Sequence, residues 1–140
     1  MATIRKEVLI NARPETAWDA LRDVGALHTR LVPGFVTDVT MEEGARLVTF
    51  ANGIKAREVI VSVDDAARRL VWTSVGGRLA HHNGAAHVVP EGPMGCRFVW
   101  TTDLLPDSMA TAIDAMMSQA MPIIKATLEQ AEQLESSRRR

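Results

Sequence analysis

The sequence predicts an α+β domain: a curved antiparallel β-sheet of about seven strands wrapped round one long carboxy-terminal α-helix, with two short helices after the first strand. Three observations carry this expectation. A β-branched opening segment runs into a proline and turns helical, the middle of the chain alternates apolar runs with turn residues, and the last segment repeats apolar residues at steps of three and four. The chain has 140 residues, 46% hydrophobic and 24% charged. That suffices for one core, leaves no comfortable room for a second, and excludes disordered and collagen-like classes. Residues 1–140 therefore read as a single domain.

Thr3 to Asn11 alternates in the manner of a strand and hands over at Ala12-Arg13-Pro14, where the fixed φ of proline suits a first helical turn. From Pro14 to Asp23, Ala17, Trp18 and Leu21 share one helical face, Glu15, Asp19, Arg22 and Asp23 take the other, and Gly25 breaks the pattern. A second short helix, Ala26 to Leu31, ends at Val32-Pro33-Gly34 because the residue before proline is pushed out of the α region. The strands that follow are FVTDVTM, ARLVTFA, IKAREVIVSV, RRLVWTSV, RLAHHNGAAHVV and CRFVWTTDL. Among the turns between them, Asn52-Gly53 and Gly76-Gly77 are the sharpest hairpin signals, since primed turns need the positive φ that Gly and Asn adopt cheaply.

The final helix opens at Pro106-Asp107-Ser108 and runs to about Glu135, roughly 40 Å at 1.5 Å per residue. Met109, Ile113, Met116, Met117, Ala120, Met121, Ile124, Leu128 and Ala131 form one stripe along it, and Pro122 is expected to kink it near its middle. The concave face of the sheet is the only apolar surface large enough to take that stripe. A straight rod cannot touch a strongly curved sheet along its whole length, so a cavity is expected between them.

Charge and targeting signals narrow the function. With 16 basic and 17 acidic residues the net charge is -1, which leaves no general field for nucleic acid or anionic lipid. The run Arg138-Arg139-Arg140 reads as a solvated end. No apolar stretch approaches the ~20 residues of a membrane span, and the first residues lack the order of a signal peptide. Cys96 has no second thiol to pair with. The expectation is a cytoplasmic protein without stable membrane insertion.

The stretch NARPETAWDAL after the first strand, the VPGF link, the segments REVIVSVDDAARRLVWTSV and CRFVWTTDLLP, and the closing helix together resemble the START-like superfamily (SRPBCC), in its polyketide cyclase/dehydrase and lipid-transport branch. The resemblance covers essentially the whole chain. It implies the helix-grip fold, an internal cavity for hydrophobic or aromatic small molecules, and no obligatory cofactor. It does not imply one reaction. There is no tyrosine in the chain, so a cyclase scheme that uses a phenol finds none here.

Of the four histidines, His28, His81, His82 and His87, three fall in one strand. His81 and His82 point to opposite faces, while His81 and His87 share a face but stand roughly 20 Å apart along a regular strand, so no metal site is expected. On the face shared by Leu79, His81, Asn83, Ala85 and His87, an imidazole lining the cavity would serve as acid or base on an enolisable carbonyl; on a solvated face it would not. Glu58 offers the same choice. If Ile60 faces the core, Glu58 enters the cavity as a candidate base; if Val59, Val61 and Val63 do, Arg57 enters instead. Arg97 and Asp103 are open to both readings. The ligand wall is expected from Trp18, Phe50, Trp72, Phe98 and Trp100, with Met109, Ile113, Met116, Met117 and Met121 on the long helix; each is also ordinary core material.

There is no nucleophile elbow, P-loop or dinucleotide fingerprint. Two readings of function follow. One is binding or carriage of a hydrophobic or aromatic, lipid-like or polyketide-like molecule. The alternative is a cyclase or dehydratase without metal or nucleotide cofactor, acting through His81 or His87, Glu58 and Arg57. A third is an interaction protein that pairs through an exposed sheet edge or helix, as in a homodimer. A one-residue slip in register would exchange the faces of every strand.

Overall fold

The computed structural model describes residues 1–139. Its strands are β1 (Ala2–Ile10), β2 (Val36–Glu42), β3 (Ala45–Phe50), β4 (Lys55–Asp64), β5 (Arg69–Val75), β6 (His81–Glu91) and β7 (Gly95–Leu105). The helices are α1 (Pro14–Arg22), α2 (Leu27–Arg30) and α3 (Ala110–Arg139), with short 3-10 turns at Val24–Ala26 and Asp107–Met109. All seven strands join one antiparallel sheet in the order β1-β7-β6-β5-β4-β3-β2. It is a meander that the first strand closes by pairing with the last, from Ala2 opposite Leu104 to Ile10 opposite Cys96. This is the α+β helix-grip arrangement that the sequence predicts.

Local chemistry sets the turns. Between β3 and β4, Gly53 takes a φ of +87° and Asn52 Oδ1 accepts the Ile54 N–H at 3.0 Å. In β4 the pairing with β5 shifts register between Ile60 and Ser62, a bulge that leaves Val61 57% exposed. The open choice on that strand is thereby settled. Glu58 is buried on the concave side, while Arg57 faces out and pairs with Glu42 at 3.0 Å.

The core lies between the concave face and α3. Ala120, Met121, Ile124 and Leu128 pack against Ile10, Val48, Leu70, Trp72, Ala86, Val88 and Phe98. A smaller cluster forms round Ile4, Leu104 and Met117. The helix continues past the expected Glu135 as far as Arg139. Its fully buried stripe is narrower than expected, with Met109, Ile113, Met116 and Ala131 only half-buried. Pro122 faces solvent, so the N–H it lacks is missing on the wet side, where water can satisfy the Ser118 carbonyl, and α3 runs through it as one element.

Polar pins hold the carboxy-terminal half of α3 to the start of α1. Buried Glu132 accepts from the Arg13 backbone N–H at 2.8 Å, Arg13 Nε at 3.0 Å, Thr16 Oγ1 at 2.9 Å and Arg139 Nη2 at 3.3 Å. Burial alone would push this carboxyl up, but the hydrogen bonds from Arg13, Thr16 and Arg139 outweigh it and hold it at about 2. One turn earlier Glu129 accepts the Asn11 N–H at 2.9 Å. No helix of the described residues is long and apolar enough to cross a membrane.

Candidate functional site

The cavity lies where the sheet curves away from α3. Leu21 of α1, Leu27 of α2 and Leu31 just after it close one side, Met116, Ala120 and Ile124 of α3 another, and the sheet supplies Phe50, Trp72, Phe98 and Trp100. It encloses about 540 Å³ of empty space, mouth included, yet the centre of a water molecule has only about 60 Å³ in which to move. The space is therefore narrow.

Two charged residues enter this wall, Arg46 and Glu58. They face each other across β3 and β4 in direct register. Arg46 Nε donates to Glu58 Oε1 at 2.8 Å, with the two side chains only 4% and 10% exposed. Arg46 Nη1 donates to the Val24 carbonyl at 3.1 Å, and the guanidinium carbon stands 5.9 Å from the Trp72 ring centroid. Opposite charges at this depth offset each other's desolvation, so the pair presents no net charge to the cavity. It still offers donor and acceptor atoms side by side.

The aromatic wall is ordered by its own contacts. Trp72 and Trp100 meet at 6.2 Å between centroids with planes tilted by 48°, and Phe35 meets Phe50 edge-on at 5.8 Å. Trp100 Nε1 is buried with no hydrogen-bond partner among the described residues. A buried orphan donor is uncommon and costs stability.

The structure distributes the residues expected from sequence unevenly. Phe50, Trp72, Phe98, Trp100, Met116 and Glu58 are brought together round the cavity. Trp18 is not among them: its indole N–H donates to Asp65 Oδ1 at 2.9 Å. Met109, Ile113 and Met117 belong to the smaller cluster, and Met121 packs in the main core without reaching the cavity wall. His81 is exposed, and His87 lies in a groove on the outer face with Arg69, Asn83, Ala85, Thr101 and Asp103. The expected acid/base histidines are thus on the side of the sheet away from the cavity.

The buried histidine is His82, in phase with Gly84, Ala86 and Val88 along the inner face of β6. Its Nδ1 accepts the Ser74 N–H at 3.0 Å and its carbonyl accepts the Thr73 hydroxyl. Burial, with a smaller contribution from His81, pushes its pKa down to about 4, so the ring is neutral near pH 7 and carries its proton on Nε2. The run of small and apolar residues at 84, 86 and 88 was the available signal for this face. Arg46 had no such signal, because its role appears only once β3 is set in register against β4. Buried Cys96 has its thiol pushed up to about 11 by burial and stays protonated, as a small apolar residue would. Among the described residues no group of three or more His, Cys, Asp or Glu is placed to hold a metal ion.

Fold and cavity together define a helix-grip domain with a largely apolar cavity between sheet and helix. The family described as Polyketide cyclase / dehydrase and lipid transport matches residues 1–130, and the chain belongs to it. Comparison with curated proteins gave no match. Among solved structures, a protein from Thermobifida fusca is 24% identical, with a TM-score of 0.77 over 94% of this chain and 96% of that one. A START superfamily protein from Mycobacterium smegmatis is 11% identical, with a TM-score of 0.70 over 94% and 97%. Norcoclaurine synthase from Thalictrum flavum, as a point mutant in complex with a transition-state analogue, is 22% identical, with a TM-score of 0.67 over 92% and 95%. At these identities the likeness is one of fold.

Proposed function

We propose that this protein binds and carries an uncharged, largely apolar molecule, flat or slender in shape, that bears a hydroxyl or carbonyl group. The observation that carries the reading is the Arg46–Glu58 pair, the only charged residues in a wall otherwise made of aliphatic and aromatic side chains. A ligand carboxylate would enter a low-dielectric site whose one cation is already neutralised, and would lose its hydration without gaining a counter-ion. A hydroxyl suits the same place, because it accepts from a guanidinium and donates to a carboxylate. Affinity then comes chiefly from apolar area, at ~25 cal/mol per Å² before ordering costs.

The test is quenching of Trp72 and Trp100 fluorescence by two molecules of one shape, naphthol and naphthoate. Saturable binding of naphthol, with naphthoate weaker by about tenfold or more, which is about 1.4 kcal/mol, is the expected result. Equal or tighter binding of naphthoate would contradict the reading.

A second reading is favoured by one observation, that Glu58 stands in the cavity beside a cation. It is a cyclase or dehydratase in which Arg46 polarises a carbonyl and Glu58 moves a proton. Turnover of a polyketide-like carbonyl substrate that Glu58→Gln abolishes, while ligand affinity is kept, would establish it.

A further inference from the structure

We propose that Gly84 determines specificity: having no side chain, it seats the Trp72 indole against β6 and so sets the width of ligand that the cavity admits. The proposal rests on the ligand-binding reading above. Gly84 lies inside β6, opposite Trp72 on β5 and Thr102 on β7. Its φ is outside the left-handed region that would demand glycine. Glycine weakens a strand interior, so its presence there calls for another reason. Close approach of the ring supplies one. A Cβ at this position would stand 2.7 Å from Trp72 Cε2, 2.8 Å from Cζ2 and 3.1 Å from Nε1, distances at which something must move.

The backbone of β6 is held along its whole length by β7, and by β5 up to the rung at Gly84 itself, the last of that ladder. The indole, held only by packing, is the part that moves. It is hemmed by Trp100 at 6.2 Å between centroids and by the Arg46 guanidinium carbon at 5.9 Å, and its open side is the cavity that it lines. Carrying the 2.7 Å contact out to an ordinary 3.4 Å takes about 0.7 Å, a meaningful share of the width where water centres have only about 60 Å³. A fused-ring ligand loses its slot, while a single chain slides past.

The experiment compares wild type, Gly84→Ala and the double variant Trp72→Phe with Gly84→Ala by calorimetric titration with decanol, naphthol and hydroxypyrene. Gly84→Ala is expected to weaken naphthol by about tenfold, or about 1.4 kcal/mol, and to leave decanol within about twofold. The double variant, whose smaller ring leaves room for the methyl, should restore naphthol. An equal loss for both ligands, no loss, or no restoration would overturn the proposal. Near-UV circular dichroism shows whether Gly84→Ala is folded. If it is not, Trp72→Phe alone decides: the widened slot should admit hydroxypyrene more tightly than wild type does, and no gain overturns the proposal. Wild type binding none of the three ligands would instead defeat the cavity reading itself, and this proposal with it. Wild type that binds, beside a Gly84→Ala variant indistinguishable from it, defeats the Gly84 role alone.

Discussion

At the scale of single residues, the Arg46–Glu58 pair sets the sharpest expectation. Removing one partner leaves a charge buried at 4% or 10% side-chain exposure with nothing to offset it. Arg46→Met alone should therefore cost about 3–5 kcal/mol in urea unfolding. Arg46→Met with Glu58→Leu should be near neutral in stability, and should abolish the preference for naphthol over a naphthalene without a hydroxyl. His82 makes a second prediction. A free imidazole takes its proton at 6.5 and the folded one only at about 4, so the unfolded chain binds that proton first. Stability contributed by the neutral ring is whole above pH 6.5 and is lost as pH falls towards 4. Nuclear magnetic resonance should find His82 as the neutral Nε2–H tautomer at pH 6, and His82→Gln should remove this window from the pH dependence. These residues also show how far the sequence carried. Alternation along β4 framed the question of Glu58 or Arg57 correctly but could not answer it, because a one-residue bulge lies downstream at Val61. On β6, His81 and His87 drew attention to the odd positions, whereas the packing signal lay in Gly84, Ala86 and Val88 at the even ones, in phase with His82.

At the scale of elements, α3 works as two halves. Lys125, Glu129 and Glu132 tie the carboxy-terminal half to Leu9, Asn11, Arg13 and Thr16, while Met116 and Ala120 of the other half form a wall of the cavity. An unfolded Glu132 carboxyl protonates near 4.5 and the folded one near 2, so acid favours the unfolded chain across that interval. The stability this pin supplies is present above pH 4.5 and is lost as pH falls to 2. Glu132→Gln should destabilise the protein at pH 7 and flatten its acid unfolding below pH 4.5, read by far-UV circular dichroism. Leu128, fully enclosed beneath the same half, should cost about 2–5 kcal/mol as Leu128→Ala. Element order and the count of strands were legible from turn residues and periodicity, since both are local. The pins were not, because each joins residues more than a hundred positions apart.

For the whole molecule, the geometry describes a cavity whose apolar wall is interrupted by one neutral ion pair. A ligand that fills it binds the folded chain alone, and should raise the melting temperature with its concentration. The measurement that bears most directly on the account is native mass spectrometry of the protein purified from its own host, set beside the same sample denatured. The expected result is a released small molecule that is uncharged, mostly hydrocarbon or aromatic, and carries a hydroxyl or carbonyl. Release of a carboxylate or a phosphorylated molecule would contradict the neutral-cavity account, as would a chain that leaves its host empty and then binds neither naphthol nor decanol.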